Sequence, residues 1–277
     1  MPRRSRRVRR AAVALGVGAS LLGALGGCAT VQPQRALSTS GEAHMVAGGT
    51  TLDQPVSAVA AATRLVDEDG NPFSLSSLRG RIVVLAPLLT MCQETCPMTS
   101  SNMHAAALAA EQATGQSGHV VFLEITVDPA RDTVRRLHAY ARLYGGLPDW
   151  RLATGKPREV LALWKALGIS TDPTKPDDTV RDWMTGKLVH DSYDVHHQDV
   201  VMVIDPSGHL RWVTDGHPDA RGTALPTTMQ QFLSNEGRAN YRRPGAAGAS
   251  SWTARDVEKA VAYVQGLAGW SQGDSNP

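Results

Sequence analysis

The sequence predicts a layered α/β domain built around a central sheet. Three observations predict it. Apolar runs at Ile82-Val83-Val84-Leu85, Val120 to Val127 and Val200 to Ile204 have the composition of strands buried on both faces. Stretches with helical spacing stand between and after these runs. Once the leader and a polar segment behind it are set aside, roughly 200 residues remain, enough for one domain with a substantial core. No internal repeat is visible.

The elements follow in order. Thr63-Arg64-Leu65-Val66 is strand-like and ends in a hairpin-type turn, Asp67-Glu68-Asp69-Gly70-Asn71-Pro72. Ile82 to Leu85 is a central strand, and Met98 to Gln112 suits a helix. Val120 to Val127 is a second buried strand. Asp132 to Tyr144 is an amphipathic helix, with Val134, Leu137, Tyr140, Ala141 and Tyr144 on one face. Trp150 to Ala153 is a short strand, and Pro157 to Leu167 a helix with proline at a favourable start. Ile169 to Asp199 is polar and reads as a long loop or insertion. Val200 to Ile204 and His209 to Thr214 form a hairpin around the turn Asp205-Pro206-Ser207-Gly208. Residues 217–251 look like an insertion, with one helix near Pro226 to Ser234. Ala254 to Leu267 is a closing helix.

The N-terminus is read as an export signal, residues 1–27. Six arginines precede Ala11, and a short Ala/Leu/Gly-rich run ends in Leu25-Gly26-Gly27-Cys28. That ending resembles the lipobox of bacterial lipoproteins, in which the cysteine is lipidated. The alternative is an uncleaved transmembrane anchor, for which the run is short and rich in glycine. Either reading tethers the domain at a membrane, outside the cytoplasm. Ser5-Arg6-Arg7 fits twin-arginine export, and an ordinary basic leader accounts for it equally. Residues 28–55 read as a flexible tether and 56–270 as the folded domain. The formal charge of +2 contains six leader arginines, so the mature chain carries +2 − 6 = −4. A nucleic-acid-binding surface therefore has no support.

Cys92 and Cys96, in Thr90-Met91-Cys92-Gln93-Glu94-Thr95-Cys96-Pro97, carry the chemistry. They sit on a strand-to-helix turn, where the positive end of the helix is expected to acidify both thiols. Two thiolates this close form a disulfide or hold a soft metal. A structural staple gains little in a domain with an ample core. A catalytic disulfide is the stronger rival, although the common redox motif has a two-residue spacer. Peroxidase chemistry fails, because Thr90 lies two residues before Cys92 rather than three.

Four motifs, in order, resemble the Sco/SenC family of thioredoxin-fold copper proteins. They are Asp69-Gly70 with Leu78-Arg79-Gly80; the Cys92-to-Pro97 turn; Ile125-Thr126-Val127-Asp128-Pro129-Ala130-Arg131-Asp132-Thr133; and His197, eight residues before Asp205. The chain departs from the family pattern at Val134, where proline is usual, at His196, where an acidic residue is common, and at Leu88 and Leu89, where aromatics are usual. The resemblance implies a thioredoxin-like fold with a central mixed sheet flanked by helices. It also implies copper, as Cu(I) or Cu(II), held by Cys92, Cys96 and His197. The implied role is a metallochaperone, not an enzyme, with the copper-containing subunit of cytochrome c oxidase as partner and a copper donor protein upstream. A thiol-disulfide oxidoreductase that keeps the subunit's copper-site cysteines reduced is the alternative.

Other residues near the implied site have everyday readings too. His196 points away from His197 if the segment is extended. It is then a surface residue, a partner behind the ligands or a substitute ligand. Asp128 and Asp132 flank a strand end near the site, and Asp132 also suits the cap of the next helix. Arg131 can pair with either. Met91, Met98 and Met103 are most simply core filling. His190 reads as loop surface.

Overall fold

The computed structural model describes residues 44–114, 118–175, 179–190, 192–243 and 250–269. The signal segment 1–27, Cys28 and residues 28–43 of the expected tether lie outside the described residues. Strands β1 (Met45–Val46) and β2 (Gly49–Pro55) lead into helix α1 (Ala58–Ala62), strands β3 (Leu65–Asp67) and β4 (Pro72–Phe73), and a 3-10 turn at Leu75–Leu78. Next come β5 (Ile82–Leu88), α2 (Cys96–Thr114), β6 (Val120–Thr126), α3 (Val134–Tyr144), β7 (Trp150–Gly155) and α4 (Pro157–Ala166). Four short strands follow: β8 (Thr171–Thr174), β9 (Val180–Arg181), β10 (Leu188–Val189) and β11 (Asp194–His197). The chain re-enters the sheet as β12 (Val200–Ile204) and β13 (His209–Asp215). It closes with β14 (His217–Pro218), α5 (Thr227–Phe232), α6 (Asn235–Arg242), β15 (Ser251–Trp252) and α7 (Ala254–Leu267).

Among the described residues nine strands form one mixed sheet in the order β1-β2-β13-β12-β5-β6-β7-β3-β4. β5, β6 and β7 run parallel, while β12 runs antiparallel to β5 and β13, and β13 to β2. Every residue of β5, β6 and β12 is buried, which is why their sequences show no polar alternation. Helix α2 packs on α7, and α3 and α4 pack on β7. The β5-α2-β6 crossover, the β12–β13 hairpin beside β5 and the closing α7 make the domain thioredoxin-like. The buried tryptophans all find acceptors for their indole N–H: Trp150 on Glu124 Oε1, Trp164 on the Thr126 carbonyl, Trp212 on the Val46 carbonyl and Trp252 on the Gly216 carbonyl.

Several elements differ from the sequence reading. The tether was expected to reach residue 55, but residues 45–55 contain β1 and β2. The polar sequence of β2 pairs with β13, and Gly49 lies so close to the Trp212 ring that a Cβ there would overlap it. Burial of that indole outweighs the poor strand composition. The stretch 169–199 is not one irregular loop: β8 pairs with β11 and β9 with β10, giving two small hairpins. Residues 217–251 contain α6 as well as the expected α5. The cap of α3 is Thr133, whose side chain accepts from Arg136 N, and Asp132 is turned inward instead.

Candidate metal centre

The carboxyl ends of β5 and β6 deliver two loops to one edge of the sheet. The first carries Cys92 and ends at Cys96, the first residue of α2. Its opening turn is closed by Cys92 N donating to the Leu89 carbonyl at 3.0 Å. Cys96 is 1 % exposed, and Cys92 is half-buried. Both thiols are free. Contact with Cys96 lowers the Cys92 pKa; the same contact, followed by burial, raises Cys96 well above the usual thiol range. The helix start therefore acidifies one thiol rather than both. A second charge beside the first would find little water in this site to solvate it.

The third candidate arrives from far along the chain. His197 ends β11, and its Nε2 lies 3.5 Å from Cys96 Sγ across 101 residues of sequence. Its Nδ1 is 3.0 Å from the Gln198 carbonyl oxygen. A carbonyl only accepts, so Nδ1 carries the proton and the neutral ring turns its Nε2 lone pair toward the sulfur. Gln198 is itself fixed, its Oε1 accepting from Ser170 N at 2.7 Å. An imidazole oriented by its other nitrogen is how proteins prepare a metal ligand. The 3.5 Å separation is that of a thiol–imidazole hydrogen bond, and a soft ion held by this pair would take the place of the thiol proton. Among the described residues no group of three or more His, Cys, Asp or Glu side chains is already gathered closely enough to hold a metal ion. The arrangement is a thiol–imidazole pair with Cys92 hydrogen-bonded beside it, which an ion would draw together.

Asp199, which sequence reasoning missed, stands at the lip of this cluster. It accepts from Thr95 Oγ1 at 3.0 Å and lies 4.0 Å from His217 Nδ1. Burial raises its pKa, against the pull of His197. Its position two residues after His197 was the only signal available in the sequence.

The remaining candidates do not join the thiols. Asp132 is fully buried and accepts from Thr90 N, Thr90 Oγ1 and Thr126 Oγ1. It fixes the loop two residues before Cys92. Asp128 accepts from Tyr193 Oη at 2.8 Å and pairs with Arg131 Nε, while the Arg131 guanidinium covers the Tyr193 ring. These two carboxylates hold the loops that carry the candidate ligands. His196 is exposed and paired with Asp172 across β8, on the strand face away from His197. His190 is exposed and contacts Thr179 Oγ1. Met91, Met98 and Met103 are buried.

A second latch was also absent from the sequence reading. Arg136 Nε donates to Thr90 Oγ1 at 2.6 Å, and its Nη1 donates to Asp182 Oδ2 at 3.0 Å. Trp183 packs on the same guanidinium and donates to the Thr90 carbonyl at 2.8 Å. The β9–β10 hairpin, nested between the strands of the ribbon that ends at His197, is thus fastened to the residue that opens the cysteine loop.

The chain matches the SCO1/SenC family model over residues 53–227. It is 30% identical over 174 residues to a protein of Stutzerimonas stutzeri named for a proposed copper-binding role, a match that spans 62% of this chain and 76% of the relative. It is 27% identical over 122 residues to the mitochondrial SCO1 homolog 1 of Arabidopsis thaliana, covering 44% of this chain and 35% of that protein. The crystal structure of Arabidopsis thaliana ScoI with copper bound is similar with a TM-score of 0.45 and 25% identity, covering 55% of this chain and 85% of that one. The family match spans more than half of the sequence and includes both cysteines and His197, and this chain belongs to the SCO1/SenC family.

Proposed function

We propose that the protein is a membrane-tethered, extracytoplasmic metallochaperone. It binds copper through Cys92, Cys96 and His197 and passes it to the copper-containing subunit of cytochrome c oxidase, where a binuclear site is assembled. One observation carries the reading: His197 Nε2 stands 3.5 Å from Cys96 Sγ. Disulfide exchange requires an accessible thiolate and a leaving thiol, and no distal imidazole. Thiolates suit Cu(I), and imidazole suits both oxidation states, so this donor set can keep copper through a change of charge. The family, and the copper-binding role for which the Stutzerimonas relative is named, support the same ion. A copper donor protein supplies the ion upstream. Among the described residues no helix is long and apolar enough to cross a membrane. The tether is assigned to Cys28: a diacylglyceryl group there brings two acyl chains, enough for stable anchoring.

The test is the copper content of the oxidase in a strain carrying only His197→Ala. Low content at limiting copper, restored by excess copper, is the expected result. Normal content at limiting copper would favour the thiol reductase reading instead. For the tether, Cys28→Ser abolishes lipid labelling; an intact, unlipidated N-terminus on the membrane-bound protein, read by mass spectrometry, would replace the lipid with an uncleaved helix.

A further inference from the structure

The segment that follows β13 runs past residue 227, where the family match ends, and the centre described above uses only His217 of it, beside Asp199. Its helices end against the spacer between the two thiols. Gln93, the residue after Cys92, donates from Nε2 to the Phe232 carbonyl at 2.7 Å. The Gln93 carbonyl accepts from Ser234 N at 3.0 Å. Ser234 caps α6, its Oγ accepting from Gly237 N at 3.0 Å. Gly237 is buried, and a Cβ on it would overlap the Gln93 carbonyl oxygen and come within 3.1 Å of Glu94 Cα. Glycine is needed here for close approach of two backbones, a requirement no turn signal in the sequence discloses.

We infer that the α5–α6 segment is a clamp on the Cys92–Cys96 spacer, with Gln93 and Gly237 as positioning residues that keep the two thiols as an open dithiol facing His197. The spacer is grasped at both its amide side chain and its main-chain carbonyl, so the turn keeps one conformation. Ordering the turn in advance removes that cost from metal binding. Joining the sulfurs brings them from non-bonded contact to about 2.05 Å, and the clamp opposes whatever part of that movement the spacer must take up. The part of this inference that concerns copper rests on the proposed function; the part that concerns the dithiol does not.

The experiment compares Gln93→Ala and Gly237→Ala with Gln230→Ala. Gln230 makes the same kind of bond within the segment, to the Leu225 carbonyl at 2.7 Å, without touching the spacer. Each protein is titrated with glutathione redox buffer, in which the dithiol and oxidised glutathione give the disulfide and two molecules of reduced glutathione. Each is also titrated with Cu(I) against a chromogenic chelator, and thermal unfolding is recorded. Loss of one net hydrogen bond predicts an equilibrium shifted about fivefold toward the disulfide in Gln93→Ala, and Cu(I) affinity lowered by a similar factor. Gly237→Ala shifts both further, and Gln230→Ala shifts neither. Parental values in Gln93→Ala would overturn the clamp, as would equal shifts in Gln93→Ala and Gln230→Ala. Gln93→Ala decides the matter even if Gly237→Ala fails to fold. If the parent binds no copper, the proposed function falls, while the glutathione titration still decides the clamp.

Discussion

The two sides of the candidate centre are held in different ways. Cys96 opens a helix whose first turn is anchored in the core. Tyr144 Oη donates to the Pro97 carbonyl at 3.0 Å, Tyr140 and Tyr144 hydroxyls lie 3.2 Å apart, and Ser100 Oγ lies 3.2 Å from Tyr140 Oη. Ser100 and Trp150 then donate to the two oxygens of Glu124, a carboxyl with no exposed surface. The chain of hydroxyls ends on a carbonyl, which has no proton to give or take, so it is a brace rather than a path for protons. His197, by contrast, ends a half-exposed two-stranded ribbon and owes its place to side-chain latches: Arg136 and Trp183 on one hairpin, Asp128 and Arg131 on the residues just before β11. One ligand is therefore fixed by the fold and the other by a few polar contacts. Damage to the first should be read as lost stability, and damage to the second as lost metal.

The largest effect should come from the deep side. Trp150→Ala removes a fully buried indole and leaves Glu124 without one of its donors. A cost of about 3–5 kcal/mol is expected in chemical denaturation, with copper binding lost only as the fold is lost. Next is pH. Burial lifts the Glu124 pKa from 4.5 to about 7. As pH rises, the unfolded chain ionises this group first and so binds fewer protons than the folded one. Stability therefore falls between about pH 4.5 and about pH 7 and then levels, by up to roughly 3 kcal/mol. Glu124→Gln should flatten that part of the profile; an unchanged slope would mean that the carboxyl ionises normally in the fold.

On the other side, Arg136→Met frees Asp182 and loosens the β9–β10 hairpin from Thr90. It should cost on the order of 1.5–3 kcal/mol in stability. Copper affinity should fall by about tenfold or more even where the protein remains fully folded. Loss of stability without loss of affinity would erase the contrast between the two sides. Tyr193→Phe deletes one bond to Asp128 and keeps the ring under Arg131, so a destabilisation of about 1 kcal/mol and a few-fold weaker copper binding are expected from the same titrations.

The same contrast explains what could be read from the sequence. β5, β6 and β12 were legible because burial on both faces leaves an apolar signature, and the cysteine turn was legible because its residue types are rare and closely spaced. The ribbon that carries His197 was not. Thr171–Thr174 and Asp194–His197 are polar, and they are held by contacts such as Tyr193 to Asp128, 65 residues apart, that no local pattern records. His197 itself was found through family resemblance and not through periodicity. β2 was hidden because its partner surface is the Trp212 indole. Asp132 looked like a helix cap because the Asp-Thr pair offers two capping residues, and Thr133 took that role while Asp132 turned to Thr90. The expected acidity of both cysteines failed at Cys96 because its contact with Cys92 and its burial both favour the neutral thiol.

His197 and the two cysteines are proposed to act on one ion. The most direct measurement is Cu(II) binding to the reduced domain lacking residues 1–28, followed by sulfur-to-copper charge-transfer absorption in parent, His197→Ala and His190→Ala proteins. One copper per chain is expected in the parent, with the band and the affinity retained in His190→Ala. In His197→Ala the band should shift or vanish, and the affinity should fall by at least about tenfold, the weight of one lost ligand. Equal affinities and identical bands in the two histidine variants would remove His197 from the centre and contradict the account.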